Sequence, residues 1–120
     1  MHSVSQTPAF VKAAEDEGMS EAEVDDLVEH IARNPMAGDE IPGTGGCRKL
    51  RWAGKGKGKR GAFRIITFYS GQQIPVYLLT VFAKGDRVNL SQAEKKALAS
   101  LTKEIVRAYE RRVVSVGERA

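Results

Sequence analysis

The sequence predicts an α+β domain, in which an antiparallel sheet of three to four strands is flanked by two N-terminal helices and one C-terminal helix. Apolar residues keep helical spacing at both ends of the chain, and β-rich runs fill the middle. Glycine-rich connections between those runs favour hairpins. Because 120 residues suit one core and no linker interrupts them, we expect residues 1–120 to form a single domain.

Two helices are predicted in the first third of the chain. Pro8 follows a threonine, which is typical of a first helical turn. Ser20 and Glu23 have the spacing of a capping box, and the helical pattern that follows them stops at Pro35. Residues 3–6, ahead of these helices, can supply a short edge strand.

Three strands are predicted next, at residues 47–53, 63–69 and 75–84. The last of them is the most apolar and is expected to be central. Alternation along the first of them places Lys49 and Arg51 on one face of the sheet.

The remaining segments are two loops and a last helix. Residues 38–46 contain four glycines and predict a loop, and residues 54–61 predict a basic hairpin loop. Ser91 and Glu94 form a second capping box, which opens a helix expected to run to about Arg112.

Charge is segregated along the chain. Residues 1–40 carry a net charge of −8, and residues 86–120 carry +3. Residues 41–85 contain no Asp or Glu and carry +9. We expect this segment to form a cationic side that attracts a polyanion, with the acidic helices on the opposite side of the sheet.

The cationic segment concentrates eight Lys and Arg residues within 17 positions, namely Arg48, Lys49, Arg51, Lys55, Lys57, Lys59, Arg60 and Arg64. A merely solvated surface is the alternative interpretation. Because the cations occupy strands as well as the loop, and no acid lies among them, binding of phosphate or nucleic acid is favoured.

Several other functional classes are excluded or disfavoured. The GxGxxG pattern at residues 56–61 leads into a strand rather than a helix, and Val81 stands where a dinucleotide site needs an acid. His2, His30 and Cys47 do not have zinc spacing, so we expect neither a metal site nor a cofactor. A single cysteine, no signal peptide and no apolar run of membrane length predict a cytoplasmic protein.

Several strings of residues together resemble a known family. They are IPGTGG at 41–46, RKLRW at 48–52, GKRG at 58–61, FRII at 63–66, YLLTVFAK at 77–84 and LSQAE at 90–94. From about Glu15 to Tyr109 the chain is similar to the RelE/HigB family of bacterial type II toxins, and the first three strings are typical of its HigB-like branch.

The resemblance implies a small α+β toxin that cleaves mRNA in the A site of the 30S ribosomal subunit without a metal. The 2′-hydroxyl would attack the adjacent phosphate, leaving a 2′,3′-cyclic phosphate and a 5′-hydroxyl. The implied partners are the ribosome, mRNA and a neutralising helix-turn-helix antitoxin of the HigA-like type. Contact with DNA would come only through that antitoxin, and no membrane is involved.

Mapped by motif, the family's catalytic cations fall on Lys49, Arg51, Arg64 and Lys84. Arg51 and Arg64 would hold the phosphate, and Lys49 or Lys84 would transfer protons. The family's tyrosine after the last strand has no counterpart, since the matching position is near Leu90. The remaining cations would bind the RNA backbone regardless of base sequence, and they are Arg48, Lys55, Lys57, Lys59 and Arg60.

Two other functions remain open. A ParE-like toxin would poison DNA gyrase on a similar fold, but that branch usually lacks the basic catalytic set. A non-catalytic RNA-binding module would keep the positive charge without cutting RNA. Trp52 likewise has two interpretations, stacking on a base or packing in the core, and the second is favoured.

Overall fold

The computed structural model describes residues 1–53, 62–71, 73–82 and 90–119, the last eight of these by their backbone alone. The elements follow in the order β1 (Val4–Gln6), α1 (Pro8–Asp16), α2 (Glu21–Arg33), β2 (Asp39–Glu40), β3 (Cys47–Trp52), β4 (Phe63–Phe68), β5 (Val76–Phe82) and α3 (Gln92–Arg119).

The strands form one sheet in the order β1-β5-β4-β3-β2. Neighbours from β2 to β5 are antiparallel, whereas β1 runs parallel to β5. The predicted α+β class is therefore confirmed, and so is the edge strand near residues 3–6. The predicted strand number was too low, because the sheet has five strands and is mixed.

Local capping explains where the first two helices start. The Thr7 hydroxyl accepts a hydrogen bond from the Phe10 N–H at 3.1 Å, with proline at the first helical position. At α2 the Ser20 hydroxyl accepts from the Glu23 N–H at 3.1 Å, and the Glu23 carboxylate accepts from the Ser20 N–H at 3.0 Å. The predicted capping box is confirmed.

Each face of the sheet is covered by different helices. One face is covered by the helical hairpin that α1 and α2 form, and we call it the hairpin face. There Ile65 and Leu78 of the sheet pack against Phe10, Leu27 and Ile31 of the two helices. On the opposite side, the α3 face, residues of α3 pack onto the sheet in a second cluster that includes Cys47, Ile66, Phe68, Leu79, Leu98 and Ile105. Successive side chains along β3 and β4 point to opposite faces of the sheet, so neighbouring apolar residues of these strands belong to different clusters.

The segment 41–46 is held to α3 by a pair of buried threonines. The Thr44 hydroxyl donates to the Ile41 carbonyl at 2.6 Å and accepts from the Cys47 N–H at 3.2 Å. The Thr102 hydroxyl has two acceptors within reach, the Thr44 carbonyl at 3.1 Å and the Ala99 carbonyl of its own helix at 2.9 Å, and it can donate to one of them at a time. A Cβ at Gly45, whose φ is +77°, would come within 2.9 Å of the Thr102 hydroxyl oxygen. The IPGTGG string therefore joins the start of β3 to α3.

The expectation that all of residues 38–46 form a loop was wrong for Asp39 and Glu40, which pair with Lys49 and Arg48 as β2. Charged residues in so short a strand give no periodic signal, so the pairing depends on the position of β3. No helix within the described ranges is long and apolar enough to span a bilayer.

Candidate nucleic-acid interface

The pairing of β3 with β4 places two arginines directly opposite each other. Arg51 is the register partner of Arg64, and Lys49 is the partner of Ile66, two residues along the same face. Because successive side chains of a strand point to opposite faces, Lys49, Arg51 and Arg64 all lie on the α3 face, past the end of its apolar cluster. Three of the four predicted catalytic residues share one end of one face.

Placing two arginines opposite each other is unfavourable for the stability of the fold. Like charges directly opposite in an antiparallel pair are destabilising. Within the described part of the chain, Nη1 of Arg64 is buried and has no hydrogen-bond partner. Burying an unsatisfied polar group costs about 1–3 kcal/mol, and more for a charged one.

An anion at this place would remove both penalties. Its negative charge would compensate the two guanidinium groups, and its oxygens would accept hydrogen bonds from them. The neutral Trp52 Nε1 and Thr67 Oγ1 also lack partners, but neither carries a charge. Of these atoms, Nη1 of Arg64 is thus the one that indicates an anionic ligand.

A cavity of about 230 Å³ lies beside this site. It is lined by Asp39, Glu40, Ile41, Pro42, Lys49, Leu90 and Lys95. Leu90, which the resemblance places near the position of the family's tyrosine, therefore shares a cavity with Lys49. A leucine supplies apolar surface there but no hydroxyl, so proton transfer at this position requires another group.

Lys95, in the first turns of α3, was missed by the sequence reasoning. It lines the same cavity as Lys49. The capping box at Ser91 and Glu94 predicts where α3 starts but not where its first turns lie against β2 and β3. No local sequence signal would have found this neighbour.

Arg48 lies on the other face of β3 from Lys49 and Arg51. Its Nη1 donates to the carbonyls of Met36 and Gly38 at 3.1 and 3.2 Å, which ties the end of the α2–β2 connection to β3. The structure thus shows a structural contact for Arg48, and its RNA-binding role stays a prediction. Other predicted cations lie outside the described residues, namely Lys55, Lys57, Lys59, Arg60 and Lys84.

Trp52 belongs to the hairpin face and packs against its core cluster. Its ring lies 5.0 Å from the His30 ring, centroid to centroid, in a tilted arrangement. The core interpretation of Trp52 is confirmed, and this aromatic ring is separated by the sheet from Arg51 and Arg64.

The remaining candidate for nucleophilic chemistry, Cys47, is fully buried. Burial raises the pKa of its thiol, and a hydrogen bond with Thr44 offsets part of that rise. The thiol therefore stays protonated near neutral pH, when its reactivity is low. Across the described ranges, no three His, Cys, Asp or Glu side chains are grouped so that they could hold a metal ion.

Comparison with known families identifies the chain's family. A family model described as the RelE toxin of the RelE / RelB toxin-antitoxin system matches residues 2–119, which include the arginine pair, the Lys49 cavity and α3. Members of this family are generally endoribonucleases that inhibit translation, and each acts with an antitoxin partner. The chain belongs to the RelE toxin family.

Proposed function

We propose that this toxin is a ribosome-dependent, metal-independent endoribonuclease that cuts mRNA in the A site within the bacterial cytoplasm. The observation that carries the proposal is the Arg51–Arg64 pair, with the buried and unpartnered Nη1 of Arg64. Such a site suits a phosphodiester, because two guanidinium groups can donate to its non-bridging oxygens.

The proposed reaction is an internal transphosphorylation. The 2′-oxygen of one nucleotide attacks the adjacent phosphorus, and the bond from phosphorus to the 5′-oxygen breaks. A base takes the proton of the 2′-hydroxyl, and an acid gives a proton to the departing 5′-oxygen. The products are a 2′,3′-cyclic phosphate and a 5′-hydroxyl.

Each predicted catalytic residue has a role in this scheme. Arg51 and Arg64 stabilise the negative charge that grows on the equatorial oxygens, and fixed donors do this without reorganisation. Lys49 and Lys84 are the candidates for proton transfer, because no histidine lies at the described part of the site. Leu90 cannot substitute for them.

The composition of this site supports the proposed ribosome dependence. Cations bind a phosphate in any backbone conformation, whereas the reaction needs the 2′-oxygen and the 5′-oxygen in line. A codon held in the A site has a fixed backbone, so we expect rapid cutting there and slow cutting of free RNA.

We assign the toxin to the HigB-like branch, with a helix-turn-helix antitoxin of the HigA-like type.

The test is primer extension on an mRNA translated by purified ribosomes, with and without the toxin. We expect cuts within translated codons and 5′-hydroxyl ends that polynucleotide kinase can phosphorylate. Arg64→Ala should remove the cuts and the growth arrest while antitoxin binding is retained. DNA breaks with intact mRNA would instead indicate a ParE-like gyrase poison, and RNA binding without cuts would indicate a non-catalytic module.

A further inference from the structure

A second concave surface lies on the other side of the sheet from the proposed nuclease site. It is a groove of about 430 Å³ between α1, α2 and the end of β1, and it is lined by Gln6, Val11, Ala14, Glu15, Met19, Glu21, Val24 and Asp25. We call it the hairpin groove. Four of its residues are apolar and three are acidic, and Val11 is 45% exposed although it is hydrophobic.

The acids of the hairpin groove are not neutralised by the hairpin itself. Its two cations form exposed pairs elsewhere, Lys12 with Asp16 at 3.4 Å and Arg33 with Glu29 at 3.2 Å. Glu15, Glu21 and Asp25 form no ion pair within the described residues. Three like charges around one concave surface of mixed polarity focus a negative potential there.

Helix stability does not account for all of these acids. Glu21 lies in the first turn of α2, where a negative charge favours the helix dipole. Glu15 lies in the last turn of α1, which has no basic residue, and there a negative charge is unfavourable. A positive group bound in the groove would offset this unfavourable interaction of Glu15 with its helix.

We infer that the hairpin groove binds a basic segment of a partner protein. An apolar side chain of that segment would contact Val11 and Val24, and its lysines or arginines would pair with Glu15, Glu21 and Asp25.

RNA is disfavoured as the ligand of this groove, because the three acids would repel its phosphates. Since the sheet separates the groove from Lys49, Arg51 and Arg64, the partner and an RNA can be held at the same time. This inference does not depend on the proposed nuclease activity.

The test uses two probe peptides and the full chain. One peptide contains only lysine and leucine in an amphipathic order, and the other replaces every lysine with glutamate. In NMR titrations of the ¹⁵N-labelled chain, the lysine peptide should shift the amide signals of the groove residues. The glutamate peptide should leave them unchanged.

Variants of the acids make the test specific. E15Q/E21Q/D25N should weaken binding of the lysine peptide by about tenfold, since three partly exposed ion pairs are lost. The matched control D16N/E29Q/E104Q removes the same charge from acids that do not line the groove and should change binding by less than about twofold. Equal weakening in both variants would overturn the inference, because the binding would then reflect net charge alone.

A charge-neutral variant covers the case in which the triple variant does not fold. Val11→Gln removes apolar surface from the groove and should weaken the lysine peptide several-fold, with the circular dichroism spectrum unchanged. Unaltered binding would overturn the inference. Peptide-induced shifts confined to other surfaces would also overturn the inference. Self-association of the chain that E15Q/E21Q/D25N abolishes would overturn it too, because a second copy of the chain would then occupy the groove.

Discussion

On the hairpin face, apolar side chains of the sheet are matched by those of α1 and α2, whereas one end of the α3 face sets Arg51 opposite Arg64. The first arrangement lowers the free energy of the folded state by burial. The second raises it through like charge and an unsatisfied Nη1. An arrangement that destabilises the fold in this way is typical of a binding site, where the ligand supplies the missing negative charge and hydrogen-bond acceptors.

The largest expected effect is on the hairpin face. Phe10→Ala should destabilise the fold by about 3–5 kcal/mol, because the ring is fully buried and its removal leaves a cavity. Urea unfolding monitored by circular dichroism measures this. The neighbouring Val11→Ala, on an exposed side chain, is the control and should stay within about 0.5 kcal/mol. A similar loss in both would contradict the packing described for Phe10.

The second prediction compares adjacent cations on opposite faces of β3. Arg51→Gln should slow ribosome-dependent mRNA cleavage by about a hundredfold, because a fixed donor to the phosphate is lost. Arg48→Gln removes the same charge from the other face and should slow cleavage by less than about tenfold, because a backbone contact away from the reacting phosphate contributes to RNA binding alone. It should cost about 1 kcal/mol of stability, since its bonds to the Met36 and Gly38 carbonyls are lost. Equal slowing by both variants would mean that bulk charge, rather than position, drives cleavage.

The third prediction concerns the contact between segment 41–46 and α3. Thr102→Val should destabilise the protein by about 1–2 kcal/mol, because the Thr44 and Ala99 carbonyls lose the hydroxyl donor that they share and the Cys47 thiol is only a weak donor to Thr44. Ser100→Ala, at an exposed position of the same helix, should be nearly neutral. Thermal unfolding checks both, and no difference between the two variants would show that the Thr102 bond contributes nothing.

The smallest effect is a pH dependence. Burial raises the pKa of the Cys47 thiol above its ordinary value of 9.0, so the folded state favours the protonated form. The resulting stability is complete below that ordinary value and is lost as the pH rises through the folded-state pKa. Between about pH 7.5 and pH 10, the wild type should therefore lose more unfolding free energy than Cys47→Ala does. Parallel losses in the two proteins would contradict the burial of this thiol.

The comparison of the two faces also explains what the sequence could predict. Both capping boxes, Ser20 with Glu23 and Ser91 with Glu94, depend on atoms three residues apart and were predictable. That Lys49 and Arg51 share one face of the sheet was also predictable, because side chains two residues apart in a strand point the same way.

What the sequence did not predict depends on distant parts of the chain. The parallel pairing of β1 with β5 joins residues about seventy positions apart, and β2 exists only because β3 lies beside it. The Arg51–Arg64 pairing needs the register of β3 on β4, which the hydrophobic pattern alone leaves open between several values. Lys95 reaches the Lys49 cavity through the path of α3, for which no residue near Lys95 gives a signal.

The most direct test of the central claim is to measure the cleavage and the stability of Arg64→Met together. A methionine of similar length removes the unpaired charge, so we expect mRNA cuts in the ribosome assay to disappear while unfolding in urea shifts to an equal or higher concentration. Retained cleavage would contradict the account, because the arginine pair would then not be the phosphate site. Lost cleavage with a large loss of stability would also contradict it, because Arg64 would then serve the fold.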